Sequence, residues 1–143
     1  HVIEKISRFR QIIYDLYYSN FFLAIIIEKI AEITHSLTDR KDEQQFNIAQ
    51  EIYQGYGACY ILGPVFFKNF KKLWAPSFIM HEEYFLAEQL YSKGYKTYYE
   101  PSIIVHHHCH SATKELLRKK RWELSRDAHH LRKKYIQNKK LEL

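Results

Sequence analysis

The sequence predicts a mixed α/β half-domain, a short sheet flanked by helices, on three observations. Apolar residues recur at helical spacing at both ends of the chain, and short β-forming runs bounded by Gly and Pro interrupt the middle. The length of 143 residues suffices for one core. Composition agrees, because 46% hydrophobic and 27% charged residues with four Gly and three Pro exclude a disordered or collagen-like chain.

The elements follow in order. From Val2 to Ile33, Ile6, Phe9, Ile12, Ile13, Leu16, Leu23, Ile26, Ile27, Ile30 and Ile33 step mostly by three and four, which predicts two helices, or one kinked near Ser19-Asn20. Thr34 to Gln45 is polar and aperiodic, a loop. Cys59 to Gly63 is a short apolar run between glycines and predicts a buried strand, ended by Gly63-Pro64. Val65 to Phe70 predicts a short helical turn. His81 to Lys93 predicts a helix with Phe85, Leu86 and Leu90 on its apolar face and Gly94 just past its end. Tyr95 to Tyr99 and Ile103 to His107 predict strands on either side of a turn at Pro101. Ser111 or Thr113 then caps a long helix with Leu117, Leu124, Ala128, Leu131 and Tyr135 on one stripe. Three short strands make a thin sheet whose edges invite pairing, so a homodimer through exposed sheet edges is expected.

Charge is distributed unevenly. Residues 1–112 hold 11 Lys or Arg against 12 Asp or Glu, and residues 113–143 hold 11 against 4, so the net +6 resides in the tail. A basic tail helix suits nucleic acid, an anionic membrane surface or solvent. Nucleic acid is disfavoured, because Lys119, Arg121 and Arg126 scatter around the helix while the apolar stripe docks one face. The longest apolar run, Phe21 to Ile27, falls short of the roughly 20 residues of a spanning helix. Phe21 to Ile33 can lie at an interface, although Glu28 and Glu32 would be repelled by anionic headgroups. Two cysteines, Cys59 and Cys109, form no disulfide framework, and no signal-peptide pattern is present. These features predict a cytoplasmic setting, with the inner membrane face as the peripheral alternative.

Two clusters carry chemistry. His81-Glu82-Glu83 opens a helix beside a loop, where a carboxylate can take a proton as general base or simply complement the helix dipole. His106-His107-His108-Cys109-His110 alternates imidazoles across a strand, but adjacent ligands on a straight strand do not close a zinc tetrahedron. A single strand-end His assisting a metal held by other residues fits better.

From Gly55 to His108 the sequence resembles the C-terminal half of family 2 glycosyltransferases. The resemblance rests on Gly57-Ala58-Cys59-Tyr60-Ile61-Leu62, then Phe78-Ile79-Met80-His81-Glu82-Glu83-Tyr84, then Gly94-Tyr95 through Tyr99-Glu100-Pro101, then Val105-His106-His107-His108. The family pattern is a G-A strand, a loop ending in an acidic pair, a helix ending in G-Y, a Y-x-P turn and a strand closing in His. The resemblance implies a partial GT-A, Rossmann-like domain that transfers sugar from a nucleotide-sugar donor to a saccharide or lipid-linked acceptor in cell-surface polysaccharide synthesis, commonly with Mg²⁺ or Mn²⁺. It places Glu83 at the family's catalytic-base Asp and Glu82 at the acidic position before it. Gly57, Ala58 and His81 fall on the acceptor side, and His107, with His108 as runner-up, at the metal-assisting His. Glu for Asp at position 83 keeps the carboxylate and lengthens its reach.

The family's D-x-D motif and nucleotide-binding strands have no counterpart, since Asp39 and Asp42 stand three apart in a polar loop and Asp15 and Asp127 are isolated. The expectation is one domain lacking the donor half: residues 1–50 as a helical insert, 51–112 as the acceptor-side α/β core, and 113–143 as the basic C-terminal helix. Together with the start at His1, this predicts a partial chain, inactive alone. The alternative is a small basic binding module using its tail helix on nucleic acid or a membrane surface.

Overall fold

A computed structural model describes residues 3–34, 45–106 and 114–138. The chain is mixed α/β. Its order is α1 (Arg8–Tyr17), α2 (Phe21–Ile33), β1 (Gln50–Ile52), α3 (Pro64–Asn69), α4 (Glu82–Tyr91), β2 (Thr97–Tyr99) and α5 (Arg118–Asn138). The expected break near Ser19-Asn20 is a true helix boundary. Asn20 leaves the helical backbone and its side-chain oxygen accepts from the Phe22 and Leu23 amides at 2.8 and 3.4 Å, capping α2. Ser7 caps α1 in the same way through the Arg10 amide. Pro64 opens α3 at a position where its missing N–H costs nothing. Gly94, at φ +75°, takes the left-handed position past α4.

The sheet corrects the sequence expectation. Among the described residues it is one antiparallel pair, β1 with β2, in the register Gln50↔Tyr99, Glu51↔Tyr98 and Ile52↔Thr97. β1 was not expected, because Gln-Glu-Ile carries no β-pattern; it is fixed by its partner and by the Lys96–Glu51 ion pair. Cys59 to Gly63 is not a strand. Its burial alternates as a strand's would, with Tyr60 and Leu62 half-buried and Cys59 and Ile61 exposed, yet among the described residues no neighbouring strand completes a ladder. Ile103 to His106 is likewise outside any strand and exposed, while His107 and the proposed caps Ser111 and Thr113 lie outside the described residues, as does most of the Thr34–Gln45 loop. β-propensity alone does not make a strand when both hydrogen-bonding edges lack a partner.

The core is organised around α4, which buries Tyr84, Phe85, Leu86, Ala87 and Gln89 on nearly all sides. On one side Leu86 packs with Phe66 and Phe70. On the other, Phe85, wholly buried, meets Trp74 edge-on at 5.4 Å and Tyr135 of α5 at 6.0 Å. Gln89 is buried because both ends of its amide are used: it donates to the Lys72 carbonyl and accepts from the Trp74 amide.

The α5 seam also differs from the expected stripe. Leu117 is 80% exposed and Leu131 exposed, while Trp122, Ala128, His129, Arg132 and Tyr135 are buried. The docked arc is therefore partly polar, and α1 supplies its partners. His129 Nε2 lies 2.7 Å from Asp15 Oδ1, Lys133 Nζ donates to Asp15 Oδ2 at 2.9 Å, and Arg132 donates to Gln11 at 3.0 Å. Trp122 donates to the Tyr17 carbonyl and stacks edge-on against Phe21, and Arg118 pairs with Glu28 of α2. No helix among the described residues is long and apolar enough to cross a membrane.

Candidate functional site

The site grows from the turn that starts α4. Ile79 and His81 both stand at positive φ, 64° and 63°, a conformation costly for a β-branched residue. The turn delivers Glu82 and Glu83 into the first turn of α4, where the helix dipole favours carboxylates. Glu82 is exposed and points to solvent, whereas Glu83 is half-buried.

The structure brings Glu83 and Gly57 together. A Cβ at position 57 would stand 3.0 Å from Glu83 Oε1 and 3.1 Å from its Cγ, so any larger residue there would push the carboxylate back by a few tenths of an ångström. Burial raises the Glu83 carboxyl above its ordinary pKa, with Glu82 adding repulsion, against the opposing pull of the nearby backbone of Glu83 itself and of Gly57. The Tyr60 phenol beside it is pushed up by burial and by both glutamates, and its hydroxyl finds no hydrogen-bond partner among the described residues.

A groove of about 640 Å³ opens on this side of the core. Tyr56, Tyr60, Tyr95, Tyr98 and Tyr99 line it, with Ala58 and Cys59 at its edge. Gly57, Glu82 and Glu83 are not in its wall; Gly57 is one residue from the lining Ala58, and Glu83 lies against Gly57. The rest of its wall is mainly apolar, with Ile52, Leu62, Phe66, Leu86 and Leu90 beside Lys96 and Glu100, so it offers aromatic faces and a few polar groups to a ligand that is itself partly apolar.

His81 goes elsewhere. Its ring meets Tyr18 of α1 edge-on at 6.2 Å, its buried Nδ1 has no partner among the described residues, and it is absent from the groove wall. Burial, with the nearby Arg132 and His129, pushes its pKa down to about 4. His107 and His108 lie outside the described residues. Among the described residues no three His, Cys, Asp or Glu side chains converge.

Two features escaped sequence reasoning. Tyr60 was read only as part of a strand, though its place three residues after Gly57 put it within reach. The Asp15–His129–Arg132 cluster was hidden in a charge-rich tail; the signal was a 122, 125, 128–129, 132, 135 spacing that a hydrophobic stripe read through Leu117 and Leu131 obscured. Four of the tail's eleven Lys and Arg residues pair with carboxylates, Arg118 with Glu28, Lys120 with Glu123, Arg126 with Asp127 and Lys133 with Asp15. In comparisons with known proteins, no family model, no curated protein and no solved structure matches this chain.

Proposed function

We propose that this chain is the acceptor-side part of a family 2 glycosyltransferase, with Glu83 as general base and the tyrosine groove as the seat of a saccharide or lipid-linked acceptor. One observation supports the reading: Gly57 and Glu83, which the family pattern places in separate motifs, lie against each other so closely that a Cβ at position 57 would stand 3.0 Å from Glu83 Oε1. A carboxylate whose proton affinity is raised by burial is suited to accept the acceptor hydroxyl's proton as that oxygen attacks the sugar's anomeric carbon. The strain at Ile79 and His81 is the kind found where a turn must hold a reacting group in one place. The donor sugar, its diphosphate and any metal would be held by residues other than these.

The test has two parts. Titrating the ¹⁵N-labelled chain with oligosaccharides shifts the amides of Gly57 and of the Tyr98 region, while nucleotide sugars leave them in place. In a transferase containing this chain, Glu83→Gln lowers turnover by about 10²–10⁴-fold with the fold intact. Near wild-type transfer by that variant removes Glu83 from the mechanism, and a groove silent to every saccharide removes the acceptor reading.

A further inference from the structure

The groove beside Glu83 carries polar atoms in its wall, but most of them are already used within the chain. Tyr99 donates its hydroxyl to the Phe46 carbonyl at 2.9 Å, and the Tyr95 hydroxyl accepts from the Asn69 side chain at 3.1 Å. The Tyr60 hydroxyl is buried, so Tyr60 gives the groove its ring alone. Lys96 pairs with Glu51, and Glu100 Oε1 accepts from the Ser102 N–H at 3.0 Å. A wholly polar ligand seated here would give up its water for few hydrogen bonds in return. The wall instead presents ring faces and the aliphatic side chains of Leu62, Leu86 and Leu90, which pack with Phe66 in one cluster. Its volume of about 640 Å³ falls within the range of small-molecule sites.

The groove also has a direction. Glu83, Leu86 and Leu90 are spaced by three and four and share one face of α4, so Leu90 stands about 10 Å along the helix from Glu83. Leu86 and Leu90 line the groove, while Glu83 lies beyond its Ala58 edge, against Gly57. A polar end held at Glu83 therefore leaves the rest of the ligand along α4 toward Leu90, a length of roughly eight methylenes.

We propose that the groove takes an amphiphile, its alkyl, isoprenyl or aryl part lying between the tyrosine rings and the Leu86–Leu90 face and its hydroxyl-bearing polar end meeting Glu83. That polar end alone rests on the acceptor reading.

The test titrates the ¹⁵N-labelled full chain with n-alkyl β-D-glucosides from methyl to octyl, each below its micellar concentration. Affinity, read from the amides of Gly57, Leu86 and the Tyr98 region, rises about two- to fourfold per methylene and levels off near eight carbons. Val65→Asp, at an exposed groove position on α3, removes the gain, while Ile30→Asp on the exposed side of α2 leaves it intact. Should Val65→Asp not fold, Ile103→Asp, also exposed in the groove wall, takes its place. An affinity flat across the series overturns the proposal and leaves the acceptor reading standing. A gain that Ile30→Asp abolishes and neither groove variant touches overturns it as well. If 1-octanol shifts the same amides as strongly as octyl glucoside, the apolar seat stands and the acceptor reading falls. Silence to the whole series and to octanol overturns the proposal.

Discussion

Helices α2 and α5 break the rule of apolar inside and polar outside in opposite directions. α2 exposes Phe22 and three isoleucines and buries only Ala24, while α5 buries His129 and Arg132 and exposes Leu131. The difference shows that burial here follows the neighbour more than the residue. α5 lies against α1, whose Gln11 and Asp15 supply the acceptors that make a buried imidazole and guanidinium tolerable. α2 meets its neighbours through the side that carries Ala24 and the neutralised Glu28, and its bulkier side chains are left for something else.

The largest effect expected from breaking this contrast is in the α5 seam. Asp15→Ala removes the acceptor of both His129 and Lys133 and leaves a buried imidazole N–H unmatched. The expected loss is about 3 kcal/mol, read as a lower urea midpoint at unchanged slope. Asp15→Ala combined with His129→Leu should recover part of it, because the orphaned group is then gone. A single variant as stable as the parent would mean that the seam contributes only packing.

How much of this was legible in the sequence differs between the two helices. The α2 boundary was readable, since Asn20 before an apolar run is a local signal and its cap is made by residues two and three further on. The α5 seam was not, because nothing local says that Asp15 waits for His129 from 114 residues away. The same distance rule explains the strands. Tyr95 to Tyr99 was recognised and shortened to Thr97–Tyr99, whereas Cys59 to Gly63 reads as a strand and lacks the partner that would make it one. At the candidate site, Glu83 beside Gly57 was reachable only through the resemblance; its depth, and the departure of His81 toward α1, were not.

Acidification sharpens the comparison next. His81 is held down at about 4 by burial, against an ordinary value near 6.5. The unfolded chain therefore binds a proton first as pH falls, so this contribution is whole above pH 6.5 and is lost between there and 4. His129 acts in the same direction, since burial, with Arg132 and Lys133, outweighs the pull of Asp15. The His81 part alone should cost about 3 kcal/mol, the scale of roughly 2.5 pKa units. Glu83, raised by burial, opposes this slope. His81→Asn keeps a side chain at ease in the left-handed backbone and removes one proton site, so its unfolding curve should flatten between pH 6.5 and 4. An unchanged slope would exclude His81 as a source.

The smallest effect belongs to α2. Ile33→Lys, at a position 84% exposed, should change the unfolding free energy of the monomer by no more than about 0.5 kcal/mol, measured by dilute thermal melts. A larger loss would mean that the outer stripe already supports the single chain.

The two tryptophans fall in different halves of the molecule. Trp74 touches Phe85 and Tyr135 beside α4, and Trp122 sits between Tyr17 and Phe21 under Arg126. Both contacts run through α5, one near each of its ends. The chain thus carries two fluorophores whose emission, separated by single Trp→Phe replacements, reports independently on whether its halves melt as one cooperative unit. Coincident transitions would make α5 the rod that welds them together, and staggered ones would make it the point at which they part.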